Sequence, residues 1–135
     1  MDEGAQIAIT FPAAPDFLRL ARLTTADAAS RAGFDYEEID DLRIAVSELC
    51  ALISGASDTS GSSGVATLSL DFALEPRRVT VRGSATPCVL AENELSRTIV
   101  KALVDDFEVS VEGDSTAFRA TKRTRNRSGE PLPGK

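Results

Sequence analysis

Few side chains in this 135-residue chain could carry out acid–base or covalent chemistry, and their types narrow the options at once. There is no histidine, and Cys50 and Cys88 form no CxxC pair. A His-based triad and a Cys/His zinc site are therefore excluded, leaving two reduced, structural thiols. Among the carboxylates, Asp27, Asp35, Glu37, Asp40 and Asp41 read as cap and solvent residues. Glu48 differs from them in lying inside the run Leu42 to Glu48 (LRIAVSE), on what the apolar spacing predicts to be a helix. Among the cations, Arg19 and Arg22 are placed on the outer side of an earlier helix.

The helix that would position Glu48 is strongly signalled. Ile39, Leu42, Val46, Leu49 and Ile53 recur at steps of three and four, which lines one face. Asp35 can cap, Glu38 stands three residues on as the partner of a capping box, and Phe34 with Ile39 would form a hydrophobic staple. The helix is predicted over Tyr36 to about Ser54, with Gly55 as a stop.

The other elements follow in order. Gln6 to Phe11 alternates as a half-buried strand, Pro12 and Pro15 break it, and a helix is predicted from about Asp16 to Ala32. Phe17, Leu20, Ala21, Thr24 and Ala28 would face inward there, and Gly33 would end it. Residues Gly55 to Gly64 read as a flexible loop. Val65 to Leu74 and Arg78 to Gly83 form a predicted hairpin turning at Glu75-Pro76-Arg77-Arg78, and Ser84 to Ala91 is a linker. Asn93 can cap a third helix over Glu94 to Asp105, with Leu95, Ile99, Ala102 and Leu103 inward. Phe107 to Glu112 and Ser115 to Lys122, turning at Gly113-Asp114, close the sheet.

Strand, helix, helix, hairpin, helix, hairpin indicates an α+β two-layer sandwich. The expected sheet is mixed and mostly antiparallel, covered on one face by three helices. One domain is expected over residues 1–122, followed by a disordered basic tail over 123–135. Twenty-one acidic against fifteen basic residues give a net charge of −6, which argues against a nucleic-acid binder working by charge neutralisation. An acidic surface suits a basic protein partner, and solubility alone would also select it. No apolar run approaches the length of a membrane span and the N-terminus lacks the layout of a signal peptide, so the chain is placed in the cytoplasm.

The LRIAVSE run resembles the signature helix of the bacterial anti-sigma factor and serine-protein kinase group of the histidine-kinase-like ATPases. The resemblance spans roughly residues 5 to 122, and includes ALVDDFEV at Ala102 to Val109 and the closing Thr121-Lys122-Arg123. It implies the same α+β fold. It also implies that Glu48 stands where the group has its general base, and Arg19, in Phe17-Leu18-Arg19, where a first-helix arginine grips a sigma factor or its antagonist. Arg22 lies on the same surface.

The nucleotide-binding positions depart from the group's pattern. An Asn four residues past the base holds the magnesium of ATP; here that position is Leu52, with no side-chain oxygen for a hard cation. The adenine-reading Asp, which ends a strand of V-x-V-R type, is Gly83 in Val79-Thr80-Val81-Arg82-Gly83. The Gly-x-Gly turn that holds phosphates through backbone N–H groups is matched by Glu94-Leu95-Ser96, which puts a negative charge at the anion site. One lost charge-assisted contact costs about 1.5–3 kcal/mol, so three would carry a micromolar ligand past millimolar.

The resemblance thus implies a binding module, an anti-sigma-like regulator that sequesters a sigma factor or binds an anti-anti-sigma protein. It would need neither ATP nor magnesium and would form a homodimer. The alternative is an ATP-dependent serine-protein kinase acting on an anti-anti-sigma protein, with Glu48 as base and ATP and Mg2+ as cofactors. A third reading is an adaptor domain whose partner lies outside that switch. Leu52, on any reading without nucleotide, fills the vacated cavity.

Overall fold

The computed structural model describes residues 5–54, 66–86 and 93–125. The predicted loop from Gly55, Cys88, and most of the predicted linker and tail lie outside those residues. The elements are β1 (Ala5–Pro12), α1 (Leu18–Arg31), α2 (Tyr36–Ser54), β2 (Thr67–Glu75), β3 (Arg78–Thr86), α3 (Glu94–Leu103), β4 (Asp106–Glu112) and β5 (Ser115–Arg123). They build one sheet in the order β1-β2-β3-β5-β4, with three helices packed on one face. The α+β sandwich is thus as predicted, except that every described strand pair is antiparallel and none of the expected mixture occurs.

Alternation decides which face is covered. Leu68, Leu70, Phe72 and Leu74 of β2, and Val79, Val81 and Ala85 of β3, are buried beneath the helices, while Ser69, Asp71, Thr80 and Arg82 look to the open side. From α2, Leu42, Val46, Leu49, Leu52 and Ile53 complete the core. Each such side chain contributes roughly 1.5–3 kcal/mol by leaving water.

The start of α2 is built as its sequence predicts. The Glu38 N–H donates to Asp35 Oδ1 at 2.8 Å and the Asp35 N–H donates to Glu38 Oε1 at 3.0 Å, a reciprocal capping box. Glu38 also holds the far end of the chain: Thr124 Oγ1 and the Arg125 N–H donate to its two oxygens, each at 2.7 Å. Arg123 therefore belongs to β5 and Thr124 is buried, beyond the point where the tail was predicted to begin. Burial alone would raise the Glu38 pKa, but these hydrogen bonds and the nearby Lys122 charge outweigh it and hold it below the usual value. Lys122 is itself buried and donates to the Leu103 carbonyl at 2.8 Å, satisfying the C-terminus of α3.

Two helices face differently from the sequence-based expectation. In α1 the buried stripe is Ala21, Thr25, Ala28 and Ala29, whereas Phe17 and Leu20 are 40% and 42% exposed. A one-turn 3-10 segment, Pro15–Phe17, precedes the helix, and small residues let α1 lie close against α2. In α3 the inward residues are Ser96 and Val100; Leu95 and Ala102 are exposed, Ile99 and Leu103 half-buried. That helix stops at Leu103 rather than Asp105. The predicted linker also shortens, because Ser84, Ala85 and Thr86 continue β3 in register with β2.

Among the described residues no helix is long and apolar enough to cross a membrane. Gly33, at φ +91, ends α1 as predicted by adopting a conformation that costs a side-chain-bearing residue.

Candidate functional site

Of the side chains singled out in the sequence, Glu48 and Ser96 meet where the middle of α2 faces the first turn of α3. Glu48 lies on the flank of α2 that faces α3, half-buried. Asn93 caps α3 by accepting the Ser96 N–H at 3.1 Å, which fixes the first turn. This turns the Ser96 hydroxyl inward, and Ser96 Oγ donates to Glu48 Oε1 at 2.7 Å. A polar residue leading the inner face explains why the apolar pattern of α3 misplaced its phase: the bond to Glu48 makes burial of the hydroxyl tolerable.

This pair decides what Glu48 can do as it stands. A carboxylate serving as general base must reach the proton it abstracts. Here an internal hydroxyl, that of Ser96, donates its hydrogen bond to Glu48 Oε1. Leu52, one turn further along α2, is buried in the core. At the end of the same helix, Thr116 Oγ1 of β5 donates to the Ile53 carbonyl at 2.6 Å, satisfying one of the open carbonyls of α2.

The sheet beneath is tightly packed at Gly83. A Cβ placed there would lie 2.4 Å from Cε2 and 2.7 Å from Cζ of Phe118, and 2.9 Å from Cδ2 of Leu70. Phe118 is the cross-strand partner of Gly83, and Leu70 is its partner on the other side, so both point to the same face. An aspartate at 83 would need the Phe118 ring and the Leu70 methyl to shift. Phe118 was missed in the sequence, where it stands as one more apolar residue of an alternating strand; only the register of β3 on β5 puts it over Gly83.

Glu94 is exposed at the start of α3, and Leu95 is 68% exposed beside it. Three prominent concavities accompany these elements: on the open sheet face, at the β2–β3 turn, and between α3 and β4. None of the three is lined by Glu48, Leu52 or Ser96. Cys50 is fully buried in α2, and burial pushes its thiol up to about 12, so it carries no nucleophilic chemistry. Among the described residues no cluster of His, Cys, Asp and Glu is suited to a metal ion.

The two arginines part company. Arg19 is exposed on α1 as expected. Arg22 is half-buried, and its Nη1 donates to Ser47 Oγ of α2 at 3.2 Å, so it joins the two helices and does not lie on the outer side. Beside Arg19, Phe17, Leu20 and Leu23 form an exposed apolar strip, and Phe17 stacks on Phe11 of the edge strand β1 with ring centroids 6.4 Å apart.

Residues 11–122 match the profile of the histidine kinase-like ATPase domain. The chain is similar to the serine-protein kinase RsbW of Bacillus thuringiensis, 29% identical over 127 residues, with 81% of this chain and 79% of that protein covered. To the serine-protein kinase RsbW of Listeria monocytogenes it is 54% identical over 43 residues, which cover 32% of this chain and 27% of that one. Among solved structures, part of the structure of the RsbU and RsbW domains of a Mycobacterium tuberculosis protein has the same fold. The TM-score is 0.66 at 19% identity, and the match covers 88% of this chain and 32% of that one.

Proposed function

The chain belongs to the histidine kinase-like ATPase domain family, and from that membership we propose that it is an anti-sigma-like regulatory protein that works by protein contact, with nucleotide binding lost. Its partners on this reading are a sigma factor or an anti-anti-sigma protein, held by the α1 surface around Arg19. The observation that carries the proposal is the position of Phe118 against Gly83, because a carboxylate-bearing residue at 83 would have to displace that ring and the Leu70 methyl. Leu52 in the core and the internal bond from Ser96 to Glu48 support it from the helix side.

The protein is placed in the cytoplasm, with a binding domain that runs through β5 to Thr124. The exposed strip Phe17, Leu20 and Leu23 next to edge strand β1 supports a homodimer. Light scattering should then give about twice the 14.3 kDa of one chain; the monomer mass would refute it.

Capture of purified sigma and anti-anti-sigma proteins tests the function. One of them should be retained, and Arg19→Glu should weaken the complex at least about tenfold, since a charge reversal replaces attraction by repulsion. Retention unaffected by Arg19→Glu would move the interface elsewhere, and capture of neither class would leave an adaptor of another system.

A serine-protein kinase remains the second reading, favoured by retention of Glu48 and by the relatives named above. It predicts phosphate transfer from Mg-ATP to an anti-anti-sigma serine that is abolished in Glu48→Gln.

A further inference from the structure

We infer that the β2–β3 turn and the end of β5 form a second binding site, one that takes an acidic segment of a protein partner. The concavity there measures about 470 Å³ and is lined by Glu75, Pro76, Arg77, Arg78, Arg123 and Thr124. Three guanidinium groups against one carboxylate stand out in a chain whose net charge is −6.

The charges are only partly used within the fold. Glu75 is committed to Arg78, whose Nε donates to it at 2.6 Å. Among the described residues no carboxylate pairs with the guanidinium of Arg77 or of Arg123. Two acids that meet the end of β5 are engaged by its backbone: Asp105 Oδ2 accepts the Arg123 N–H at 2.6 Å, and Glu38 accepts the Arg125 N–H at 2.7 Å.

Backbone conformation sharpens the point. Pro76 and Arg77 alone separate the two strands, and Arg77 is the one described non-glycine residue at positive φ, +68°. The second position of such a turn favours glycine, because a Cβ there is strained. An arginine held at this position, without a partner for its side chain among the described residues, points to a role outside the fold.

The turn is also rigidly held. Its Arg77 N–H donates to the Ala32 carbonyl at the end of α1 at 3.1 Å, and the Arg77 carbonyl accepts the Thr124 N–H at 3.0 Å. The guanidinium groups therefore stand on a fixed frame, which lowers the ordering cost of binding. Guanidinium forks match carboxylates in bidentate geometry. An extended polyanion such as duplex DNA would meet the repulsion of the whole acidic chain, whereas a short acidic segment needs only this concavity. The site lies some thirteen residues along α1 from Arg19, about 20 Å, and does not depend on the α1 surface.

The test is fluorescence anisotropy of the full chain with a fluorescein-labelled polyglutamate peptide, at roughly 50 mM and 300 mM salt. Saturable binding that weakens with salt is expected, with Arg77→Gly and Arg123→Gln each weakening it about fivefold or more. Arg82→Gln, on the open sheet face, should leave it within about twofold. Arg77→Gly should also melt about 3 °C higher, because glycine relieves the turn. The inference is overturned if the wild type shows no saturable binding, if both turn variants bind as the wild type does, or if a labelled DNA duplex binds as tightly as the peptide.

Discussion

The two ends of β3 have been treated in opposite ways. At the end near the first turn of α3, each chemistry-bearing group is turned inward: Ser96 bonds to Glu48, Thr116 bonds to the Ile53 carbonyl, and Phe118 occupies the space above Gly83. At the other end, Arg77 and Arg123 face outward with their guanidinium groups unpaired among the described residues, on a backbone clamped by Ala32, Thr124 and Glu38. The lesson is that one strand can carry two opposite arrangements: polar groups bonded inward at one end, and exposed guanidinium groups at the other, on a turn that does not suit its residue.

Substitutions that try to reopen the closed end should have the largest effect. Gly83→Asp forces a Cβ to within 2.4 Å of Phe118 and buries a carboxylate, so a loss of about 3 kcal/mol is expected in urea unfolding. Gly83→Asp combined with Phe118→Ala should recover part of the clash penalty; a double variant whose loss equals the sum of the two single losses would show that the packing between 83 and 118 is not what closes this end.

The latch at the other end comes next. Glu38→Gln weakens bonds from Asp35, Thr124 and Arg125 and should cost about 2 kcal/mol. Because the folded-state pKa of Glu38 is lowered, its stabilisation is full above the ordinary value of 4.5 and is lost as pH falls through the folded value. Wild-type stability should therefore decline more steeply than that of Glu38→Gln in acid; parallel curves would remove Glu38 from the latch.

Smaller effects separate the two helices that meet at the closed end. Ser96→Ala removes one buried hydrogen bond and should cost about 1 kcal/mol, and Asn93→Ala a similar amount by uncapping α3. Arg22→Ala, which loses a single half-buried bond to Ser47, should cost about 0.5 kcal/mol.

What the sequence disclosed and what it hid follow from the range of the interactions. The capping box of Asp35 and Glu38, the Asn93 cap, both hairpins and the apolar face of α2 are set by residues within a few positions of one another, and all could be read directly. The inner stripe of α1 could not, because it is made of alanines while its leucines and Phe17 overhang an edge strand. Nor could the phase of α3, where a serine takes the inward place through a partner 48 residues away. Phe118 over Gly83 and Glu38 on Thr124 need the register of the sheet and the closure of the chain, and neither is encoded locally.

Calorimetric titration of the full chain with Mg-ATP and Mg-ADP tests the central claim most directly. Heats no greater than dilution, with a melting temperature unmoved at millimolar nucleotide, are expected. A saturable isotherm accompanied by a rise in melting temperature would contradict the closure of this end of the fold.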